Sequence, residues 1–592
     1  MNKRKWLGSI IALGLVVAAC GGDTTVIVVP TTQPGGTSTT PPTSGPGGQG
    51  GELTLIMWQA PDTLNNYLSS GTKDTMGSSI VLEPLANFGP DTTVIPRLAA
   101  EVPTLENGGQ AADLMSVTWS LKEDVVWSDG SPFTAEDVRF TWQYCTAEGS
   151  GCTQSGAYLG VSDVVVVDEH TVRVEFAKPT AYPYLPFVGA VAAIIQKAQF
   201  ENCMGAASKG CTEENFAPIG TGPFKVSNFA VGDTVEYVVN ELYRDYDNGK
   251  PFFGTVKVLG GGDAEAAARR TLVLQEADYS WNLQVAPAIL MPMVDEGHGK
   301  LEVAFAGNIE HINLNQSNPT VGGPTDWDGG NNPHPVFGGE DAFDFSKALS
   351  LAIDRDTLVE VGYGVAGAPT CNIWPAPPAV STTHDWCKTQ DVDEANSILD
   401  GLGYLDTNND GTREHPEFGE LVFTLNTSTN AVRQDFQALV QAAWAEIGIG
   451  LQNRNTDATV FFGGGVDGDN ITRFEGDMQM YTFVPLPGGQ SHFAGYTTGE
   501  IPLAANGYAG ANLLRYSNTD YDAKYAELSS TTDQDARNEL IKELSDIVIG
   551  DGAIIPLVWR ASASAFSNEI GGWDPLNGWD SEYWNIADWF RS

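Results

Sequence analysis

Short apolar runs and alternating apolar–polar stretches recur along the chain and are separated by helical spacings. Leu53–Trp58 is apolar enough for a buried strand, and strand-like alternation returns at Val164–Asp168, Thr171–Phe176, Thr234–Val239 and Thr255–Leu259. Between them, Val138, Trp142 and Cys145 share a helical face, as do Val432, Phe436, Leu439, Val440, Ala443, Trp444 and Ile447. Strands interleaved with helices predict a mixed α/β protein. Punctuation is legible too. Asp129-Gly130 is a turn pair, and Thr134 with Asp137 three residues on forms a capping box at a helix start.

The N-terminus has a different pattern. Lys3, Arg4 and Lys5 precede an apolar run from Trp6 to Ala19, the layout of a secretory signal peptide (residues 1–19) and too short for a spanning helix. Its end, Val17-Ala18-Ala19-Cys20-Gly21, resembles a bacterial lipobox, which implies a lipidated Cys20. Residues 20–51, rich in Gly, Pro, Ser and Thr, have too little apolar content to fold and read as a flexible tether. A lipid followed by a tether places the protein at the outer face of the cytoplasmic membrane, in a periplasmic or extracellular setting.

Composition narrows the partners. Seventy-five acidic residues against 31 basic ones give a net charge of -44. Such a surface repels nucleic acid and anionic membranes and favours a soluble monomer. Beyond Cys20, six cysteines remain in an exported chain, an even number that suggests disulfides. Spacing groups them as Cys145/Cys152, Cys203/Cys211 and Cys371/Cys387, each bracketing a short loop, so local bridges are the economical expectation among the pairings that remain open. No CxxC or HExxH motif marks a zinc site.

One stretch carries a family signature. Trp119–Trp142 contains Trp127, Asp129, Gly130, Pro132, Phe133, Thr134, Ala135, Asp137 and Val138 in the pattern W/F-x-D-G-x-P-F/L-T-A-x-D-V. It resembles family 5 of the solute-binding proteins of ABC importers, which includes oligopeptide, dipeptide and nickel receptors. Further landmarks follow in order: Pro218–Lys225 resembles the GTGPF element, Phe345–Gly364 the A-L-x-x-A-I-D-R block, Trp444–Ile449 the W-x-x-I-G-I element, Asn512–Tyr525 the Y-S-N-x-x-Y-D region, and Ile555-Pro556-Leu557 the terminal I-P-L. The resemblance covers essentially everything from Leu53 onward.

That resemblance implies a cluster C periplasmic-binding-protein-like fold: two hinged lobes with mixed sheets, plus an extra domain. Carried onto this chain, lobe one comprises 52–88, 216–306 and 552–592, the extra domain 89–215, and lobe two 307–551. The implied function is capture of a small solute, peptide or peptide-like, between the lobes and its delivery to ABC permease subunits, without enzymatic activity. By position, the pocket-facing residues are Ser70, Gly71, Thr72, Trp281, His311, Asn313, Tyr481, Phe483 and Trp559. Peptide-binding relatives carry an Asp after the strand holding their key aromatic; Leu486 stands near its place here. A buried ammonium without a counter-charge is costly, so either an acid from elsewhere in the chain substitutes or the solute is not a peptide with a free amine. His492, just beyond, is a candidate polar contact but reads more readily as an exposed loop histidine.

A second site is suggested by Asp406, Asn408, Asp410, Thr412 and Glu417, spaced as D-x-[DN]-x-[DN]-G-x5-E, the pattern of a calcium loop. The same residues also suit a loop stabilised by Asx turns without an ion. No other cofactor is expected. Two further classes fit the exported chain: an extracytoplasmic solute sensor, and a secreted hydrolase with an unrecognised acid pair. No G-x-x-x-x-G-K-[ST] loop or G-x-S-x-G elbow is present.

Overall fold

The computed structural model describes residues 45–592 apart from 70, 319–331, 417, 463–469, 505–507 and 509. The signal segment and Cys20 lie outside the described residues. The last residues of the expected tether are docked, contrary to a wholly flexible reading. Gly47 N–H donates to the Tyr246 carbonyl at 2.8 Å, and Gly50 N–H to that of Phe252 at 2.7 Å. Glycine is what permits this, since a Cβ on Gly47 would press on the Lys250–Pro251 backbone.

A single 11-stranded sheet runs through the molecule. Its main path is Gly450–Thr456, Val422–Ser428, Met478–Phe483, Gly299–Leu314, Ile554–Ser567, Tyr279–Ser280, Glu52–Ile56, Thr255–Leu259, Thr234–Val239 and Phe224–Ala230, with Gly367–Pro369 also on Ile554–Ser567. The two long strands, Gly299–Leu314 and Ile554–Ser567, are antiparallel and change register between Phe305 and Ile309. On one side of that break, Ile309–Leu314 pairs with Phe483–Met478. On the other, Tyr279 and Ser280 pair with Phe566 and Ala565. The long strands therefore belong to both halves of the sheet at once.

Four strands predicted from alternation are present, Thr171–Phe176, Thr234–Val239 and Thr255–Leu259 with the predicted bounds and Val161–Asp168 three residues longer. A separate antiparallel sheet of Ser116–Ser120, Thr171–Phe176 and Val161–Asp168 is packed by the helix Ala135–Thr146. The capping box forms: Thr134 N–H donates to the Asp137 carboxylate at 3.0 Å. Asp137 also accepts from Trp127 Nε1 and Lys197 N–H, so the signature acts as a packed corner. Val138 and Cys145 are buried on its helix.

The other landmarks have equally local reasons. Gly220 and Gly222 lie against the Val81 carbonyl, where any side chain would collide. Beside them Arg244 grips Glu83 through two bonds of 2.7 Å, and Thr221 adds a third at 3.0 Å. Arg355, fully buried, donates to the carbonyls of Ser350, Cys387 and Pro556 at 2.8–2.9 Å. This arginine fastens the Phe345–Gly364 block to the terminal Ile555-Pro556-Leu557 element. Cystines join Cys145–Cys152, Cys203–Cys211 and Cys371–Cys387, the local pairing expected from spacing.

Candidate functional site

The Ile309–Leu314 and Met478–Phe483 segments bury both of their faces. Alternation places Ile312, Leu314, Met478 and Met480 in an apolar core with the helix Ala431–Ala445. The opposite face carries His311, Asn313, Gln479 and Tyr481, paired in register as His311 with Tyr481 and Asn313 with Gln479. These four polar side chains are no more than 2% exposed. A strand with one apolar and one buried polar face needs a reason beyond packing.

The facing wall begins at Gly488-Gly489, whose φ values of +83° and +73° suit glycine, and continues into the short helix Gln490–Ala494. That turn brings His492 over the sheet. His311 stacks on Phe483 with centroids 4.4 Å apart and planes 3° from parallel, and meets Tyr481 edge-on at 4.8 Å. His492 stands edge-on to Phe483 at 5.3 Å and to Tyr496 at 5.4 Å. Trp374 lies 5.9 Å from His492 and 5.8 Å from Trp579, which comes from the C-terminal segment of the chain. Rings from several distant stretches thus enclose one polar patch.

The patch is uncharged and short of partners. His311 Nδ1 lies 3.2 Å from the Ile309 carbonyl, which can only accept, so Nδ1 holds the proton and Nε2 presents a lone pair. Burial pushes the His311 pKa down to about 4. Burial, reinforced by His311, takes His492 down to about 3 against a backbone hydrogen bond with Ile373. Asn313 Nδ2 donates to the Tyr481 hydroxyl at 2.6 Å. Among the described residues, His311 Nε2, His492 Nε2, Asn313 Oδ1, Gln479 Oε1 and the Tyr496 hydroxyl have no protein partner. Each such buried group costs about 1–3 kcal/mol.

Charge is placed on the other side of the same strands. Glu310, fully buried, is paired with Arg433 and Thr482 and accepts from the Tyr363 hydroxyl at 3.0 Å. Burial alone would raise its pKa, but Arg433 and then Arg560 outweigh that and hold it below the usual range. A more open groove between the helices Pro287–Asp295 and Arg355–Gly362 is lined by Asn282, Leu290, Tyr363 and Arg560. Its polar groups are already matched, Arg560 donating to Asn282 at 2.6 Å.

Of the residues expected to face a pocket, His311, Asn313, Tyr481 and Phe483 come together. Trp559 lies on the neighbouring long strand, bonded to the Ala306 carbonyl at 2.7 Å and packed on Phe305 at 4.6 Å. Trp281 is buried in the core built around Tyr279 and Phe566. Gly71 and Thr72 begin the helix Thr72–Ser78, beside Ser69 and Asp74, and Ser70 lies outside the described residues. His492 corrects the exposed-loop reading: it is buried, because the Gly488-Gly489 turn folds the segment back over the sheet. Trp374, Gln479, Tyr496 and Trp579 were not singled out from sequence. The signal for Gln479 was the Met-Gln-Met-Tyr alternation opposite His-Ile-Asn-Leu.

The calcium-like loop closes on itself. Asp406 accepts from the N–H groups of Asn409 at 2.6 Å, Asp410 at 3.2 Å and Gly411 at 3.0 Å. Asp410 accepts from Thr412 N–H at 2.8 Å, and Asn408 from Asp410 N–H at 2.8 Å. Glu417 lies outside the described residues. These are the Asx-turn bonds expected of a loop stabilised without an ion.

With this geometry in place, comparison with known proteins identifies the lineage. Residues 93–497 match the family profile described as bacterial extracellular solute-binding proteins, family 5 Middle. The chain belongs to that family. Among curated relatives of this family 5 protein, the glutathione-binding protein GsiB of Salmonella typhi is 22% identical over 535 residues, covering 88% of this chain and 89% of the relative. The oligopeptide-binding protein AppA of Bacillus subtilis is 24% identical over 421 residues, 69% of each chain. In structure, AppA in complex with a nonapeptide superposes with a TM-score of 0.73 at 19% identity, covering 92% of this chain and 100% of that one. NikZ from Campylobacter jejuni in complex with Ni(L-His) gives 0.71 at 17% identity, covering 91% and 99%. The mixed sheets of the family 5 protein are thus those of periplasmic binding proteins. Among the described residues, no helix is long and apolar enough to cross a membrane.

Proposed function

We propose that this family 5 protein is the receptor of an ABC importer, tethered outside the cytoplasmic membrane through Cys20, and that it encloses a small solute against the His311–Tyr481 face. One observation carries the placement: five buried polar atoms without partners gather among stacked rings where distant segments of the chain meet. A binding site is the arrangement in which such atoms acquire partners. Lobe one is assigned to 52–88, 216–306 and 552–592, lobe two to 307–551, and the extra domain to 89–215, with the long strands as the crossing. Closure of the lobes on solute is the signal read by the permease. The receptor acts as a monomer and performs no chemistry on its cargo.

Relatives named for glutathione and oligopeptides make a peptide-like solute the natural comparison. In this chain Val484, Pro485 and Leu486 follow the aromatic strand, and none could neutralise a peptide ammonium. Native mass spectrometry of the exported protein tests the reading. A co-purifying small molecule, lost from a Tyr481→Ala/His311→Ala variant that remains folded by circular dichroism, is the expected result. A receptor whose bound molecule survived both substitutions would place its site elsewhere.

A further inference from the structure

Behind the sheet, on the side away from the solute face, the two halves of the molecule meet a second time. Leu301, Val303 and Phe305 alternate along the long strand with Ala304 and Ala306. Gly578 packs on Ala304 and Ala306, and Trp579 of the site's wall follows it beside Gly307. The opposite side carries Ala366, Ala561 and Ala563 against Leu301 and Phe305. In the other half, Tyr363 donates to Glu310, whose side chain alternates with that of His311 and so leaves the strand on the other face. The groove between the helices Pro287–Asp295 and Arg355–Gly362 therefore lies across the long strands from the His311–Tyr481 patch.

This rear groove is bridged at its ends and unfilled between them. At one end Gly364 abuts Pro287, the first residue of its helix: a Cβ on Gly364 would stand 2.6 Å from the proline ring. At the other, Asn430 donates to Gln284, and Gln284 and Arg560 donate to the Asn282 side-chain oxygen at 3.2 and 2.6 Å. Trp58 fixes Asn282 in turn, donating to its carbonyl at 3.0 Å. These bonds hold the abutting residues in register. Between the bridges lie Leu290, Leu301 and Val365, the last 61% exposed. Rotation about the long strands moves groups behind them oppositely to groups in front. Parting the solute face thus drives Gly364 onto Pro287, and packed atoms do not interpenetrate.

We propose that the Gly364–Pro287 contact is a rear stop that sets how far the solute face can open. The inference rests on the receptor reading, which assigns residues 216–306 and 307–551 to opposite lobes, and it adds residues that govern capture without touching solute. Pro287 and Val365 become positioning residues: widening or narrowing the rear groove changes the closed fraction, and apparent affinity follows that fraction.

The test compares the full exported chain with its Val365→Trp and Pro287→Ala variants by small-angle scattering after exhaustive dialysis. Val365→Trp places bulk in the groove from an exposed position, so the lobes are held apart behind and together in front. Its radius of gyration should fall below the parent's. Pro287→Ala removes the ring and keeps a good helix former, so the front opens further and the radius should rise. Native mass spectrometry after brief, matched dialysis should find more co-purified small molecule on Val365→Trp than on the parent, and less on Pro287→Ala. Equal radii in all three forms, or a lowered melting temperature in Pro287→Ala with no change of radius, would make the contact mere packing and overturn the stop. The reverse order of radii would overturn it as well, by placing the groove on the solute side of the axis. In either case a molecule still carried by every form leaves the receptor reading intact. Radii in the expected order with no molecule on any form would uphold the stop and count against the receptor.

Discussion

His311 and His492 pay for their position, and pH exposes the cost. Both pKa values are depressed in the folded protein, to about 4 and about 3, from an ordinary value near 6.5. Below that ordinary value the unfolded chain takes up protons that the folded chain refuses, so each histidine's contribution is fully present above it and is lost as pH falls. The slope is about 1.4 kcal/mol per pH unit for each ring. Glu582 opposes them: burial raises its pKa to about 7, the folded state keeps a proton the unfolded state releases, and its share declines as pH rises towards 7. Urea unfolding at pH values between those of an ordinary carboxylate and an ordinary histidine resolves these opposing contributions through the difference between each variant and the parent protein. His311→Gln should flatten the slope by about 1.4 kcal/mol per unit, and Glu582→Gln should steepen it by a similar amount. An unchanged slope in His311→Gln would show that the ring is charged in the folded protein. Sequence reasoning reached His311, Asn313, Tyr481 and Phe483 because family position selects strands. It misread His492 because burial there depends on a Gly-Gly turn folding back across the sheet, a tertiary event with no local period.

At the scale of elements, the molecule is held by polar ties between segments far apart in sequence. Glu310 on a long strand grips Arg433 at the start of the Ala431–Ala445 helix, with Thr482 on the next strand as third partner. Truncating one member leaves the other charge buried, so Arg433→Met should cost about 3–5 kcal/mol, whereas Glu310→Leu/Arg433→Met together should cost markedly less. Equal costs in the single and double variants, by denaturant midpoint, would show that the pair is not coupled. Helices and strands themselves were well marked by alternation and caps, Thr171–Phe176 and Thr234–Val239 to the residue. The polar ties were not, since nothing in the spacing of Glu310 and Arg433 announces their meeting. The Asp406–Thr412 loop shows the converse limit. Its ligand-like spacing is real, but its side chains turn to their own backbone. Melting unmoved by EDTA and by added calcium is the outcome expected of the Asx-turn reading, and a rise on added calcium would select the cation reading.

For the whole molecule, the question is what keeps the halves together over the buried polar face. Trp374 meets Trp579, Ala181 N–H donates to the Ser529 carbonyl at 2.8 Å, and the Arg537 guanidinium lies 5.7 Å over Tyr182. At the register break of the long strand, Gly307 lies beside Pro485 and Trp579, and a Cβ there would collide with the Pro485 ring. The position is thus a natural place for a wedge. Its φ lies outside the left-handed region, so a side chain strains contacts and not the backbone. Gly307→Leu should push Pro485 and Trp579 apart, tilting the equilibrium toward an open form while the two sheet cores, which do not include residue 307, stay folded. Small-angle scattering should then report a larger radius of gyration with unchanged far-ultraviolet circular dichroism. On the proposed closure of the lobes over the His311–Tyr481 face, ligand affinity should fall in proportion to the closed fraction lost. If the radius of gyration stayed constant while affinity fell, Gly307 would be a local packing residue and the halves would not move about this break.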